Sequence, residues 1–391
     1  MEKAQAPYSW SETLQAPQAP RRTRAQEFWH LLSTNKMAFS GLVIFLLFFA
    51  VAVLGLFLTS GPHPVFDPAM VRLQEKLLPP LSKPNVEILT PEQIPTLGIY
   101  LFGTDDLGRD VFARMLQGAW VSLTVGFVAV GISVLIGIFM GGLAGYYGSA
   151  HVRSGHLLAF CLLCSALILF YFGLPLPGFL TLAAAALFFY LSFGKASPSS
   201  GQPQGRSWVL ISLPIMTIDT LIMRIVDIML CFPSFFLILT VVALLPASMY
   251  NIMIVIGLTS WMGATRFVRA EFLSLREQDF VMAAKALGLK DLRIIFRHMM
   301  PNALGPVLVS ATIGIASAIL TEAGLSFLGF GVPPPHATWG NILSDGKRFI
   351  FDAPWLTFIP GIAILIVVLA FNLFGEGLRD ILNPRLRERS L

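Results

Sequence analysis

The sequence predicts an all-α membrane protein, a polytopic bundle whose helices cross the bilayer several times. Three observations predict it. The 391 residues are 55% hydrophobic and only 13% charged, whereas soluble domains run near about 25% charged. Mean hydropathy is +0.73. The apolar residues gather into runs close to the roughly 20 residues that one helical crossing needs. A formal charge of +5 then reads as the excess of Lys and Arg that membrane proteins keep on their cytoplasmic side, and it requires no nucleic acid.

The first 37 residues are polar and rich in Pro, Gln and Arg, without the apolar core and cleavage site of a signal peptide. They are predicted as a cytoplasmic tail, with Phe28, Trp29, Leu31 and Leu32 forming a short helix on the inner membrane surface. Residues 39–58 are the first span. Segment 61–118 carries five basic and seven acidic residues and is assigned to the outside. Residues 121–146 form the second span, in which Gly137, Gly141 and Gly145 make a smooth face for a close helix neighbour.

Runs 157–172 and 178–193 are separated by Pro175 and Pro177 and predict a helical hairpin, either two full crossings or a re-entrant pair. A Ser/Pro/Gly/Gln linker, 195–207, follows it. Runs 225–245, 252–262, 307–330 and 356–374 bring the total to eight. The short sixth is credible if it begins near Ala247 and continues toward Phe267. Basic residues Arg21, Arg22, Arg24 and Lys36 precede the first span, and Arg379, Arg385, Arg387 and Arg389 follow the last. Segment 266–297 holds seven basic and four acidic residues. That distribution places both termini and this loop in the cytoplasm.

Cys161, Cys164 and Cys231 all fall in apolar runs, which argues against a disulfide framework. Cys161-x-x-Cys164 follows His151 and His156, the outline of a metal site. Inside a span, though, free cysteine behaves as a small hydrophobe, and no metal is predicted.

The loop after the sixth run has its own pattern. Ser274-x-x-Glu277 has the capping-box form and predicts a helix from about Leu275, with Phe280, Ala284 and Leu287 on one face. Gly288 suits the left-handed residue that ends such a helix. Asp291 is a candidate N-cap for a second helix with Leu292, Ile295, Phe296 and Met299 on its apolar face and Lys290, Arg293 and Arg297 opposite. Pro301 breaks that helix or opens the next span. Two short amphipathic helices joined by glycine read as a docking element or as a loop lying on anionic lipid. Ala283, Ala284 and Ala286 leave room for close packing.

These residues resemble a known family. Ala283-Ala284-x-Ala286-x-Gly288, followed by Pro301, is similar to the EAA loop of ABC importer permeases. Segments 102–111, 223–233, 322–329, 332–341 and 378–385 resemble, in order, the blocks of the dipeptide/oligopeptide/nickel permeases of the DppC/OppC type. The resemblance implies a type I importer permease fold with six core spans, to which 149–214 is an inserted hairpin. It divides the chain into a tail (1–37), a first-span, external-loop and second-span unit (38–148), the insert, a permease core (215–380) with its coupling loop at 266–302, and a tail (381–391). It also implies a second homologous permease, two ATP-binding subunits gripping Ala283, Ala284, Gly288, Lys290, Asp291 and Arg293, and an extracytoplasmic solute-binding protein. The family's EAA glutamate corresponds to Met282, so Glu277, Asp279 or Asp291 would have to supply any acidic contact there.

The chain has no Gly-x-x-x-x-Gly-Lys-Ser/Thr phosphate loop. It is therefore expected to be no enzyme and to bind no cofactor, leaving ATP and magnesium to partner subunits. Glu322, deep in the seventh run, either lines the path or a gate, or is a buried structural carboxylate. Arg224 and Asp227 are expected to pair with each other or across to the loop, and Glu376 to pair with Arg379. Segment 103–110 crowds three aspartates and Arg109 around two glycines. A capped turn, with Thr104 or Asp105 as cap to the second span, fits better than a cation site, which needs more oxygen ligands. An ATP-independent channel or a proton-coupled transporter using Glu322 is the alternative function.

Overall fold

The computed structural model describes residues 24–171, 173, 175–193 and 214–382. A short helix, α1 (Arg24–Thr34), leads through Asn35 into α2 (Lys36–Thr59), whose first turn is capped by the Asn35 side chain accepting from the Ala38 amide. Segment 60–110 is a long loop between α2 and the next α-helix. The chain continues through α3 (Val111–Tyr146), β1 (His151–Arg153), α4 (Ser154–Tyr171), α5 (Pro175–Phe193) and β2 (Pro214–Thr217). The permease-like core resumes with α6 (Ile218–Cys231), α7 (Ser234–Leu244), α8 (Met249–Arg276) and α9 (Asp279–Ala286). It closes with α10 (Asp291–Phe327), α11 (Trp339–Gly346) and α12 (Trp355–Leu382).

Among the described residues five helices are long and apolar enough to cross a membrane: α2, α3, α8, α10 and α12. The bent pair α6–α7 is a sixth if taken as one span. The sequence predicts that span as one run, 225–245, but the two halves meet at 82°. Pro233 is the cause. It lacks an N–H to continue the ladder and pushes Phe232 into an extended conformation, φ −87° and ψ 132°.

The centre of the bundle is α3 against α8, and glycine sets their distance. A methyl group on Gly137 would collide with Ala264, one on Gly141 would sit 2.6 Å from the Thr265 carbonyl oxygen, and one on Gly145 2.5 Å from Phe272 Cβ. The smooth face read from the sequence is thus the seat of α8. Helices α2 and α12 pack on each other through Gly41 and Gly377, while α10 wedges between α3, α8 and α12. The main apolar core joins Val125 and Ala129 of α3, Ile252 and Ile256 of α8, Ile315 and Ile319 of α10, and Val367 and Phe371 of α12.

One feature is absent from the sequence reading. Strands β1 and β2 pair antiparallel, His151 opposite Thr217 and Val152 opposite Met216, so the insert leaves and rejoins the core at one two-stranded neck. Helices α4 and α5 pack on each other. The linker at 195–207, the tail before residue 24 and residues 383–391 lie outside the described residues, as do the side chains of His156 and Cys161. Cys164 and Cys231 are free thiols.

Candidate functional site

The loop that joins α8 to α10 is built differently from its sequence outline. Helix α8 runs straight through Ser274 and ends at Arg276, so the Ser274/Glu277 capping box does not form. Val268 and Phe272 are both buried against α3 and hold that last turn in helix. Helix α9 starts instead at Asp279 behind Gln278. It ends as the sequence suggests: Gly288 takes φ +70°, the Gly288 amide donates to the Lys285 carbonyl at 2.9 Å and the Leu289 amide to the Ala284 carbonyl at 3.2 Å.

Asp291 is not an N-cap; Lys290 occupies that position and Asp291 is the first helical residue. Its carboxylate turns inward, accepting from the Tyr146 hydroxyl at 2.6 Å and the Tyr147 hydroxyl at 3.4 Å, from the end of α3. Lys285 Nζ lies 5.2 Å from the centre of the Tyr146 ring, adding a cation–π contact from α9. Burial and the Asp291 charge push the Tyr147 phenol up from its ordinary value.

Pro301 does not interrupt α10. The six residues Ile294–Met299 form a π-helical turn, and the Met300 amide donates to the Ile295 carbonyl five residues back. The wider turn carries the chain past the proline, and loop and span become one continuous helix. The twist also changes which side faces in. Ile294, Ile295 and Met299 are buried together with Val281 and Ala284, while Leu292 and Phe296 point out. Each predicted apolar face is thus split: Ala284, Ile295 and Met299 are buried as expected, while Phe280, Leu287, Leu292 and Phe296 are exposed, Leu287 at 80%. Around them stand Met282, Ala283, Gly288, Lys290 and Arg293, also exposed.

Two ion pairs tie α6 to α8 beside this loop. Arg269 grips Asp219 with two nitrogens, Nη2 to Oδ2 at 2.6 Å, and Arg266 Nη2 meets Asp227 Oδ1 at 2.7 Å. Asp227 thus pairs across to Arg266, the first residue of segment 266–297, as the second of the two expected arrangements has it, and not with Arg224. Arg precedes Asp by three residues there, the less favourable order on a helix, and α8 offers a cation from the neighbouring helix. Glu376 and Arg379 form no ion pair among the described residues. Both are exposed, where such a pair contributes little.

At the opposite end of α3 the cap is Asp110, whose carboxylate accepts from the Phe112 amide at 2.9 Å; neither Thr104 nor Asp105 serves. Asp105, fully buried, clamps Arg109 and Arg114: Arg109 Nε donates to its Oδ2 at 2.7 Å and Arg114 Nη1 at 2.6 Å. Arg114 Nη2 also reaches Asp345 of α11 at 2.9 Å. The Thr104 hydroxyl donates to the Glu75 carbonyl at 2.6 Å and accepts from the Leu78 amide at 2.8 Å, pinning the outer loop over the turn. Asp105, Asp106 and Asp345 bring carboxylate oxygens within 4.8 Å of one another, but the two guanidiniums already occupy Asp105 and Asp345. Burial and the other two aspartates push the Asp106 carboxyl up. Burial also pushes Asp110 up to about 6, against its amide bond and Arg72.

Glu322 is 1% exposed and accepts from the Ser326 hydroxyl one turn later at 2.7 Å. Thr338 lies beside it, yet Glu322 Oε2 makes no hydrogen bond of normal geometry. Gly340 of α11 packs against Ala323 and Ser326 so closely that a methyl there would sit 2.7 Å from Ala323 Cα. The carboxylate is therefore sealed beneath α11.

Comparison with known proteins gives the same outline. Residues 216–388 match the family model described as the binding-protein-dependent transport system inner membrane component, and residues 23–80 match that of the N-terminal transmembrane domain of oligopeptide transport permease C. The dipeptide transport system permease protein DppC of Alkalihalophilus pseudofirmus is 36% identical over 362 residues, covering 93% of this chain and 90% of that one. The oligopeptide transport system permease protein OppC of Bacillus subtilis is 30% identical over 355 residues (91% and 88%). DppC of Haemophilus influenzae is 31% identical over 367 residues (94% and 97%). Among solved structures, a chain of the inward-facing MetNI methionine ABC transporter aligns at TM-score 0.42 and 14% identity, covering 68% of this chain and 95% of that one.

Proposed function

The chain belongs to the binding-protein-dependent transport permeases, in the DppC/OppC group, and we propose that it is a membrane-spanning subunit of an ATP-driven importer of short peptides. The observation that carries this reading is the cytoplasmic loop. Exposed Met282, Leu287, Leu292 and Phe296, ringed by Lys290 and Arg293, form an apolar patch with a basic rim. A patch of that kind marks a surface for a protein partner. The partner here is an ATP-binding subunit, one of two, with a second homologous permease completing the path and a solute-binding protein docking outside. The protein sits in the cytoplasmic membrane with both termini inside, and 149–214 is an insert on the six-span core.

Coupling follows from rigidity. Because α10 continues from the loop into the membrane without a break, a push on Leu292 and Phe296 moves Ser310 and Ser317 on the same rod. The Asp291–Tyr146 bond and the Lys285–Tyr146 contact pass the same push to α3. Such a push shifts the equilibrium only if the ATP-binding subunits grip the two states differently. Of the acids that could replace the EAA glutamate, Asp291 is held by the Tyr146 and Tyr147 hydroxyls and Glu277 lies 3.2 Å from Arg276. Asp279, exposed and without an ion pair among the described residues, is the one we assign to the partner. Glu322, held by Ser326, is assigned to bracing α10 beneath α11.

The test is uptake by the assembled transporter in proteoliposomes, with peptide-stimulated ATP hydrolysis measured alongside. Uptake that persists when the ATP-binding subunits are inactivated would overturn the reading in favour of a channel or a proton-coupled carrier.

A further inference from the structure

A groove of about 260 Å³ runs between α3, α8 and α10 at the depth of the membrane. Ser133 faces it from α3, Ser260 and Gly263 from α8, and Ser310, Gly314 and Ser317 from α10, and none of its lining residues is charged or aromatic. Serines and threonines inside helices usually close the hydroxyl onto a carbonyl three or four residues back. Thr259 and Thr265 of α8 do so at 2.7 and 3.0 Å, and Thr321 of α10 at 2.8 Å. The four serines do not. None of their hydroxyls has a hydrogen-bond partner among the described residues, although Ser133 is only 5% exposed.

Open hydroxyls at that depth are costly against lipid, so the groove is built to hold water or a polar solute. We propose that it is this chain's half of the solute path and that its serine hydroxyls bind the main chain of a peptide in transit. This rests on the importer reading above. Each hydroxyl both donates and accepts, which suits the alternating N–H and C=O of a peptide. With no charged or aromatic lining, the wall does not discriminate among side chains. The volume lies below the roughly 300–1,000 Å³ of sites that enclose a small ligand, as befits half a site closed by a facing subunit. Glu322 is outside the groove.

The test replaces Cys161, Cys164 and Cys231 by Ala and introduces single cysteines as Ser133→Cys, Ser260→Cys and Ser317→Cys in the assembled transporter. Leu135→Cys, at an outward-facing position of α3 that is 69% exposed, is the lipid-facing control. A charged, membrane-impermeant methanethiosulfonate is the probe, with and without dialanine. The groove positions should react at least about tenfold faster than Leu135→Cys, since only they adjoin water, and dialanine should slow them. Groove thiols as inert as the control mean that a helix of the neighbouring subunit fills the groove, and overturn the proposal. Unaltered labelling in dialanine, while the same transporter takes dialanine up, also overturns it. If dialanine is not taken up, the peptide reading fails by itself, and the contrast between Ser260→Cys and Leu135→Cys still decides the groove.

Discussion

Tyr146 and Asp291 meet at 2.6 Å across the base of the bundle, joining the last residue of α3 to the first residue of α10. The bond spans the point where the loop to which we assign the ATP-binding partner becomes a membrane helix. Tyr146→Phe removes its donor and nothing else. Stability should fall by about 1 kcal/mol, low for a bond to a charged group because Asp291 is exposed. Peptide uptake per ATP hydrolysed should fall by more than that loss explains. An unchanged ratio of uptake to hydrolysis in proteoliposomes would show that α3 does not follow the loop.

Gly288 is the hinge of the loop in a backbone region that proline cannot enter, φ +70° against a ring-locked value near −65°. Gly288→Pro also deletes the amide that bonds Lys285. The variant should insert into the membrane and keep its outer loop, yet hydrolyse ATP without uptake. Gly288→Ala, strained by about 1–2 kcal/mol in the left-handed region, should be intermediate. Wild-type uptake in the proline variant would rule out a docking role for α9.

The pH dependence of the outer cap follows from Asp110. Its carboxyl, raised from 3.8 to about 6 by burial, is harder to ionise folded than unfolded. Stability from this group is therefore full below about pH 4 and is lost as pH rises through about 6, by roughly 3 kcal/mol in all. Asp110→Asn keeps a capping oxygen and removes the titration. The variant should match the parent in melting temperature near pH 4 and exceed it above pH 6. Parallel melting curves across that range would contradict the assignment.

Asp105 is the pivot of the 103–110 turn, pairing with Arg109 and the nearly buried Arg114, both of which also reach Asp345. Asp105→Ala leaves the Arg114 charge without its buried partner and should cost about 3–5 kcal/mol, read as lost expression or a large drop in melting temperature. Adding Arg114→Met should recover part of that loss, since an apolar pair of similar size replaces a buried ion pair at little cost. A double variant no better than Asp105→Ala would argue that the turn needs Asp105 for its backbone bonds instead.

The bundle was legible in the sequence because hydropathy obeys bilayer physics. The glycine face of α3 and the left-handed Gly288 could both be read from residue type and spacing. The misreadings have one origin: local signals yielded to tertiary packing. Ser274 and Glu277 spell a cap, but Phe272 is buried against Gly145 and keeps α8 helical beyond them. The apolar face assigned to Leu292, Ile295, Phe296 and Met299 held for Ile295 and Met299 and failed for Leu292 and Phe296, beside a π turn that shifts the register. Asp105 looked like a cap because its neighbours are polar; it instead holds Arg109 and Arg114, whose second carboxylate, Asp345, lies 240 positions along the chain from Asp105, beyond any local pattern. The serine groove left no legible trace, since single serines in apolar runs carry no period.

The β1–β2 neck gives the insert an independence of its own. Ala150 and Ile218 touch directly, the Ile218 amide donating to the Ala150 carbonyl at 2.9 Å, so both cut ends of the excised segment already lie side by side. A chain spliced from Ala150 to Ile218 needs no bridge. In the importer we propose, the hairpin is a cassette joined to the six-span core at that one neck, open to being lengthened, exchanged or dropped while α10 from Leu292 to Ser317 stays as it is.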